Sequence, residues 1–244
     1  MTPLDSLTGL TWIQIYDNEI ETLEPISHFP KVTTLDVSRN HIRSLQPIAG
    51  WTWIQNLSVY GCDDLIDISE VSNFLDLTDL NISFLPVPNF TLKMLEGHTK
   101  LENLRIQGMI SSNEDLNYIM HHTKLEQLTM GKNDAITNID SLRYLTKLRY
   151  LDIHSNGVKD ISVVRNFPRL VKMVIYSNPI RDISPLLNCP DLRSLFMHDI
   201  VGIDFGPLYQ MAWLQHLSLA QKAFTKEQAI ALKKALSKTS ISFY

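Results

Sequence analysis

Glycine is scarce in this chain, at 9 of 244 residues, and neither the G-x-G-x-x-G pattern nor the P-loop pattern occurs. Loops that cradle phosphates depend on such glycines, so nucleotide chemistry is not expected. No run approaches 18 consecutive apolar residues, which excludes a membrane-spanning helix. Residues 1–30 lack the basic start and apolar centre of a signal peptide, so the sequence reads as cytosolic, mature or trimmed. Disorder is excluded too, because apolar residues make up 44% and charged residues only 20%.

A large excess of one charge sign is also missing, since the net charge is only −4. That figure hides an asymmetry. Residues 1–100 hold 13 acidic against 5 basic side chains, net −8, and residues 101–244 hold 13 against 17, net +4. Such a split suggests directional steering of a partner, and its basic part is too dilute for a nucleic-acid surface.

What the sequence has in abundance is repetition. Leu10, Val32, Ile54, Leu77, Leu101, Leu125, Leu148, Leu170, Leu192 and Leu214 begin ten copies of one pattern, at steps of 22, 22, 23, 24, 24, 23, 22, 22 and 22 residues. Each copy reads L-x-x-L-x-L, usually followed by x-x-N-x-I-x-x-I-x-x-L-x-x-L. The clearest runs through Leu148, Leu151, Ile153, Asn156, Val158, Ile161, Val164 and Phe167. L-x-L is a strand alternation, and a compact return segment completes one coil. A single coil cannot bury its apolar side, so neighbouring coils must stack into a parallel sheet over a continuous core. Asn18, Asn40, Asn133, Asn156 and Asn178 share one column, where an amide can satisfy turn backbone inside the stack. Cys62 takes that place in the third copy.

At these residues the chain resembles leucine-rich repeat proteins, in particular the 22-residue class typified by bacterial internalins. Ile180–Pro185 (I-R-D-I-S-P) and Ile20–Ile26 (I-E-T-L-E-P-I) carry the likeness most clearly. The resemblance spans nearly the whole chain and implies an α/β fold. Its expected form is a curved parallel sheet on the concave side, short 3₁₀ or turn segments on the convex side, and a C-terminal helical cap. It further implies a non-catalytic protein-binding module on a bacterial surface or secreted, with a cytoplasmic adaptor or regulatory subunit as the alternative. One domain over 1–244 is expected, with its cap at about 220–244. Thr225-x-x-Gln228 reads as the capping box of that cap's helix, and Ile241 and Phe243 as a last strand.

Copies four and five break the pattern. Leu85 and Met109 replace the column Asn, and Ser111-x-x-Glu114 reads as a capping box opening a short helix. Met1, Leu4 and Leu7 fit the end of a preceding copy, so the first edge is expected to be uncapped. A monomer is expected unless that edge pairs.

Counting from the first residue of each copy, positions three, five, seven and eight should point outward from the strands. Two clusters emerge there. Trp12, Tyr16, Asp36 and Tyr60 form an acidic-aromatic patch near the start. Tyr150, Asp152, His154, Lys172, Val174, Tyr176, Phe196 and His198 form a larger one over copies seven to nine. Exposed aromatics are the usual anchors of protein contacts, which makes the second cluster the expected docking site for a protein ligand. The charge split is expected to run along this face.

Chemistry is harder to find. His154 and His198 stand two strands apart, about 10 Å, too far to share a metal. Asp152 and His154 are the one pair that could serve a hydrolase, but no nucleophile completes a triad. Neither catalysis nor a metal or cofactor is expected. Cys62 and Cys189 lie five strand spacings apart, about 24 Å, beyond disulfide reach, and read as buried fillers. The sequons at Asn56, Asn81 and Asn89 read as chance matches, because glycans on the first two would obstruct the strand face.

Overall fold

A computed structural model describes residues 7–244. Eleven parallel strands form one sheet in strict chain order. They are β1 (Trp12–Gln14), β2 (Thr34–Asp36), β3 (Asn56–Ser58), β4 (Asp79–Asn81), β5 (Asn103–Arg105) and β6 (Gln127–Thr129), followed by β7 (Tyr150–Asp152), β8 (Lys172–Val174), β9 (Ser194–Met197), β10 (His216–Leu219) and β11 (Ser240–Phe243). Short 3₁₀ segments return the chain between strands, and one α-helix, α1 (Lys226–Ala235), precedes β11. This is a leucine-rich repeat solenoid.

Each coil closes for the same reasons. The middle strand residue points inward, as Leu35, Leu57, Leu80 and Leu151 do, and the residue two further on follows it, as Val37, Val59, Ile82 and Ile153 do. The eighth position then turns the chain through left-handed backbone. Asp17, Arg39, Gly61, Phe84, Gly108, Lys132, Ser155 and Ser177 fill that column, all with φ between 53° and 67°. Non-glycine residues pay a steric penalty there, so the neighbouring hydrogen bonds must hold the turn.

The column asparagine supplies those bonds. Asn156 Nδ2 donates to Met130 O at 3.1 Å and Ile153 O at 3.0 Å, while its Oδ1 accepts from Asn133 N at 2.8 Å. Asn40, Asn133 and Asn178 bridge adjacent coils alike. Cys62 keeps only the donor half, its Sγ lying 3.4 Å from Val37 O. In the irregular copies a thioether takes the acceptor half, as Met109 Sδ receives Leu85 N at 3.3 Å.

On the return side a second column runs through Phe29, Trp51, Phe74, His98, His122, Leu145, Phe167, Cys189 and Met211, each closing a turn onto the carbonyl three residues earlier. Both cysteines are buried free thiols, and burial pushes the Cys189 thiol up to about 11.

Two sequence expectations change. The helix foreseen from Ser111 is a 3₁₀ run, Asn113–His121, whose N-cap is Ser112 with no side-chain cap bond, so no capping box forms there. Thr225 does cap α1, accepting from Gln228 N while Gln228 Oε1 accepts from Thr225 N. The acidic excess does not line the strand face. Glu19, Glu21, Asp63, Asp64 and Asp67 all sit in turns and returns, and among the described acidic residues of the first hundred only Asp36 and Asp79 fall on strands. Met1 and Leu4 lie outside the described residues.

Candidate functional site

The strand register assembles the second cluster into a grid. Tyr150, Lys172, Ser194 and His216 face one another across β7–β10, and Asp152, Val174, Phe196 and Ser218 form the next row. Two residues beyond each Asp152-row position, His154, Tyr176 and His198 make a third row.

That third row is a stack of rings. His154 and Tyr176 lie 4.8 Å apart at 23°, Tyr176 and His198 lie 4.2 Å apart, and His198 is followed by Tyr244 at 5.3 Å. Strand spacing in a parallel sheet, about 4.8 Å, sets this repeat, since ring-bearing positions on successive strands arrive at stacking distance. The ladder starts where it does because position seven of the preceding copy is Gly131. A Cβ there would overlap the His154 ring.

Not every predicted contact residue is available to a partner. Asp152 and His154 are each only 6% exposed, and Val174 is buried too. The sequence expectation of an outward, wet position fails at these three because neighbouring strands' side chains close over them. Ser38, Ser83, Thr129 and Ser218 are buried on the same face for the same reason. Asp152 Oδ1 accepts from His154 Nδ1 at 2.6 Å and from His154 N at 3.0 Å, and its Oδ2 accepts from Tyr150 Oη at 3.4 Å. Burial, and then the Asp152 carboxylate, push the Tyr150 phenol up to about 12. Tyr150 therefore stays a neutral donor at any physiological pH. The phenol of Tyr176 is raised in the same way, by burial first.

The side chains left facing out are Tyr150, Lys172, Tyr176, Phe196 and His198, each half-buried or exposed. Lys172 Nζ lies 5.0 Å from the Tyr150 ring centre and 5.2 Å from that of Phe196, held between them by cation–π attraction.

The first cluster is looser. Trp12 is 62% exposed and Tyr16 is also exposed, whereas Asp36 and Tyr60 are half-buried. Trp12 and Asp36 line a shallow hollow of about 480 Å³ over β1–β5, together with Asn56, Asp79, Asn81 and Arg105. Arg105 Nη1 pairs with Asp79 at 2.8 Å, which neutralises its charge. Tyr60 does not line this hollow. It packs edge-on against Phe84 at 5.7 Å, and Lys132 lies 5.2 Å over that ring. A larger hollow of about 660 Å³ opens on the return side, beside the 3₁₀ run of Asn113–His121. It is the open counterpart of the two long copies.

The Asp152–His154 pair has the spacing of a catalytic dyad. Among the described residues no hydroxyl or thiol is hydrogen-bonded to His154, and Tyr176 and Gly131 occupy the two sides of its ring. The pair sits at the base of the ring ladder, where His154 stacks on Tyr176. No cluster of three or more metal-ligating side chains forms among the described residues. No helix there is long and apolar enough to cross a membrane.

Sequence reasoning missed His216 and Tyr244. His216 lies in the Lys172 row and Tyr244 extends the ladder. The first could have been found from position three of the tenth copy, but the second depends on β11 joining the sheet in register.

Neither a protein-family profile nor a curated sequence matches the chain. Solved structures do. The chain is similar to an internalin (inlF) of Listeria monocytogenes, at 23% identity and a TM-score of 0.75 over 98% of this chain and 81% of that one. The functional domain of InlJ from Listeria monocytogenes gives 20% identity and a TM-score of 0.63, over the full length of this chain and 60% of that one. A plant peptide hormone receptor solved in complex with RGF2 gives 18% identity and a TM-score of 0.62, over 86% of this chain and 35% of that one. At these identities the likeness is one of fold. All three neighbours are leucine-rich repeat solenoids, as this chain is.

Proposed function

We propose that this internalin-like solenoid is a non-catalytic recognition module that binds a protein ligand on its strand face over β7–β10. The observation that carries the reading is the ring ladder His154–Tyr176–His198–Tyr244 beside Phe196, since several rings stand at the surface on rigid strands. Rigid aromatics bury much area on docking and lose little conformational freedom. Tyr150, Lys172, Tyr176, Phe196 and His198 make the contacts, while Asp152, His154 and Val174 act from beneath by fixing the ring positions. Trp12, Tyr16 and Asp36 offer a second, smaller contact at the other end of the face, with Tyr60 at its margin. The internalin and receptor neighbours support the reading, because the plant peptide hormone receptor was solved in complex with RGF2. We further propose one unit over residues 1–244, displayed on a bacterial surface or secreted.

The test is a capture experiment with the wild-type protein, with the single variants Tyr176→Ala and Phe196→Ala, and with the two combined. Each single substitution should weaken the captured partner's affinity by at least about 1–2 kcal/mol, read by titration calorimetry. Equal affinity in correctly folded variants would remove this face from the function.

A further inference from the structure

We propose that the face over β7–β10 selects its protein ligand through a carboxylate of that ligand, paired with the ammonium of Lys172. The inference rests on the reading of this face as the docking site.

Lys172 is the exposed cation at the centre of the grid, and its surroundings hold it in place without neutralising it. Two rings flank its Nζ, Tyr150 at 5.0 Å and Phe196 at 5.2 Å. Rings attract a cation through their faces but carry no charge, so they supply no counter-ion. No carboxylate reaches it among the described residues: every described ion pair is made by another cation. Asp152, diagonal to Lys172 on the adjacent strand, is buried and already accepts from His154 and Tyr150. Asp199, at the rim, accepts from Ser177 N and Ser177 Oγ, both at 2.6 Å.

This arrangement constrains whatever docks. A ligand cannot cover Phe196 without also covering the ammonium that rests on it. Removing an unpaired ammonium from water is costly, and a partner that supplies no opposite charge leaves it buried and uncompensated. A partner bearing a carboxylate converts that cost into a charge-assisted hydrogen bond inside an apolar rim. The pre-set position of Lys172 between two rings lowers the ordering cost of the bond. His216 stands two strands further along the same row. A single fixed ammonium with rings around it suits one acidic side chain flanked by apolar residues. It does not suit a polyphosphate backbone, which calls for several cations in line.

Random peptides displayed on phage provide the probe. They would be panned on the wild-type protein, on Lys172→Gln, on Lys172→Glu and on Tyr176→Ala/Phe196→Ala, each first matched to wild type by circular dichroism and thermal melting. Wild type is expected to enrich Asp or Glu at a fixed distance from an apolar residue. The acidic bias should vanish on Lys172→Gln and turn to Lys or Arg on Lys172→Glu. A synthetic peptide from the wild-type pool should bind Lys172→Gln about tenfold more weakly. Enriched peptides with no acidic bias, or with one indifferent to Lys172, overturn the carboxylate reading. If Tyr176→Ala/Phe196→Ala still abolishes their capture, the docking face itself survives. Peptides indifferent to all four substitutions, or no enrichment on wild type, overturn both. Oligothymidylate bound more tightly than the best acidic peptide overturns the choice of a protein ligand.

Discussion

At the scale of single residues, the two buried histidines of the return column are the most consequential. His98 is 0% and His122 1% exposed, in positions that Phe29, Phe74 and Phe167 fill elsewhere. His98 Nε2 donates to Val71 O at 2.9 Å, and His122 Nδ1 donates to His98 O at 3.2 Å. The other nitrogen of each ring is buried without a partner. A neutral imidazole suits this setting, and an imidazolium would carry a second proton with no acceptor. Burial accordingly lowers both groups, His122 to about 4, with the nearby His98 and His121 adding to the depression. The folded-state value lies below the unfolded one of about 6.5, so the stability is fully present above that pH. It is lost as pH falls from about 6.5 through 4, by up to about 3 kcal/mol for His122. Thermal melts between pH 7 and 4 should show this loss, and His98→Phe/His122→Leu should flatten it. An unchanged acid slope in that variant would show that other groups govern it. From sequence alone His122 can be either solvated or packed, because a polar side chain in an apolar column is visible only once the columns are aligned by their turns. The misplacement of Asp152 and His154 has a related origin. Alternation says which way a side chain points, whereas lateral neighbours such as Tyr176 decide whether water still reaches it.

The elements themselves were the most legible part. Every strand lies where L-x-L places it, because an apolar residue at the middle of each strand can be buried in only one register. Irregular elements were less so. Ser111-x-x-Glu114 reads as a capping box opening a short helix, yet the coil must return in a fixed length to meet the next strand, and the uncapped 3₁₀ run Asn113–His121 satisfies that constraint. The C-terminal helix α1 differs because a side-chain cap closes its first turn. Its local signals decide, and Thr225 and Gln228 form the reciprocal box seen in the sequence. Thr225→Ala is expected to cost about 1 kcal/mol of unfolding free energy. Denaturant titration would measure it, and Thr225→Ser should recover most of the loss. A neutral Thr225→Ala would mean that packing of Leu232 and Leu236, both buried, holds α1 without its cap.

For the molecule as a whole, strand order is the decisive feature: each strand pairs only with its predecessor and successor in the chain. The Gln14 column meets Asp36, then Ser58, then Asn81, without a skipped or inserted register. Coils of one step should therefore be interchangeable. Excising residues 32–53, one 22-residue step far from β7–β10, should leave a folded protein with β1 beside β3. Chemical denaturation should give a lower midpoint and a smaller slope, in keeping with the surface that coil contributes. Loss of cooperative unfolding altogether would contradict it.

That same strict order has a consequence for how such a molecule can change over time. No closure fixes the number of strands, as it does in a barrel, so length is a free parameter. Duplicating or losing a coil moves Trp12 and Tyr16 toward or away from Tyr176 and Phe196 by one strand spacing, about 4.8 Å, without redesigning either patch. The solenoid is in effect a ruler with two marks, whose separation can be reset in whole units to match the spacing of features on whatever it grips.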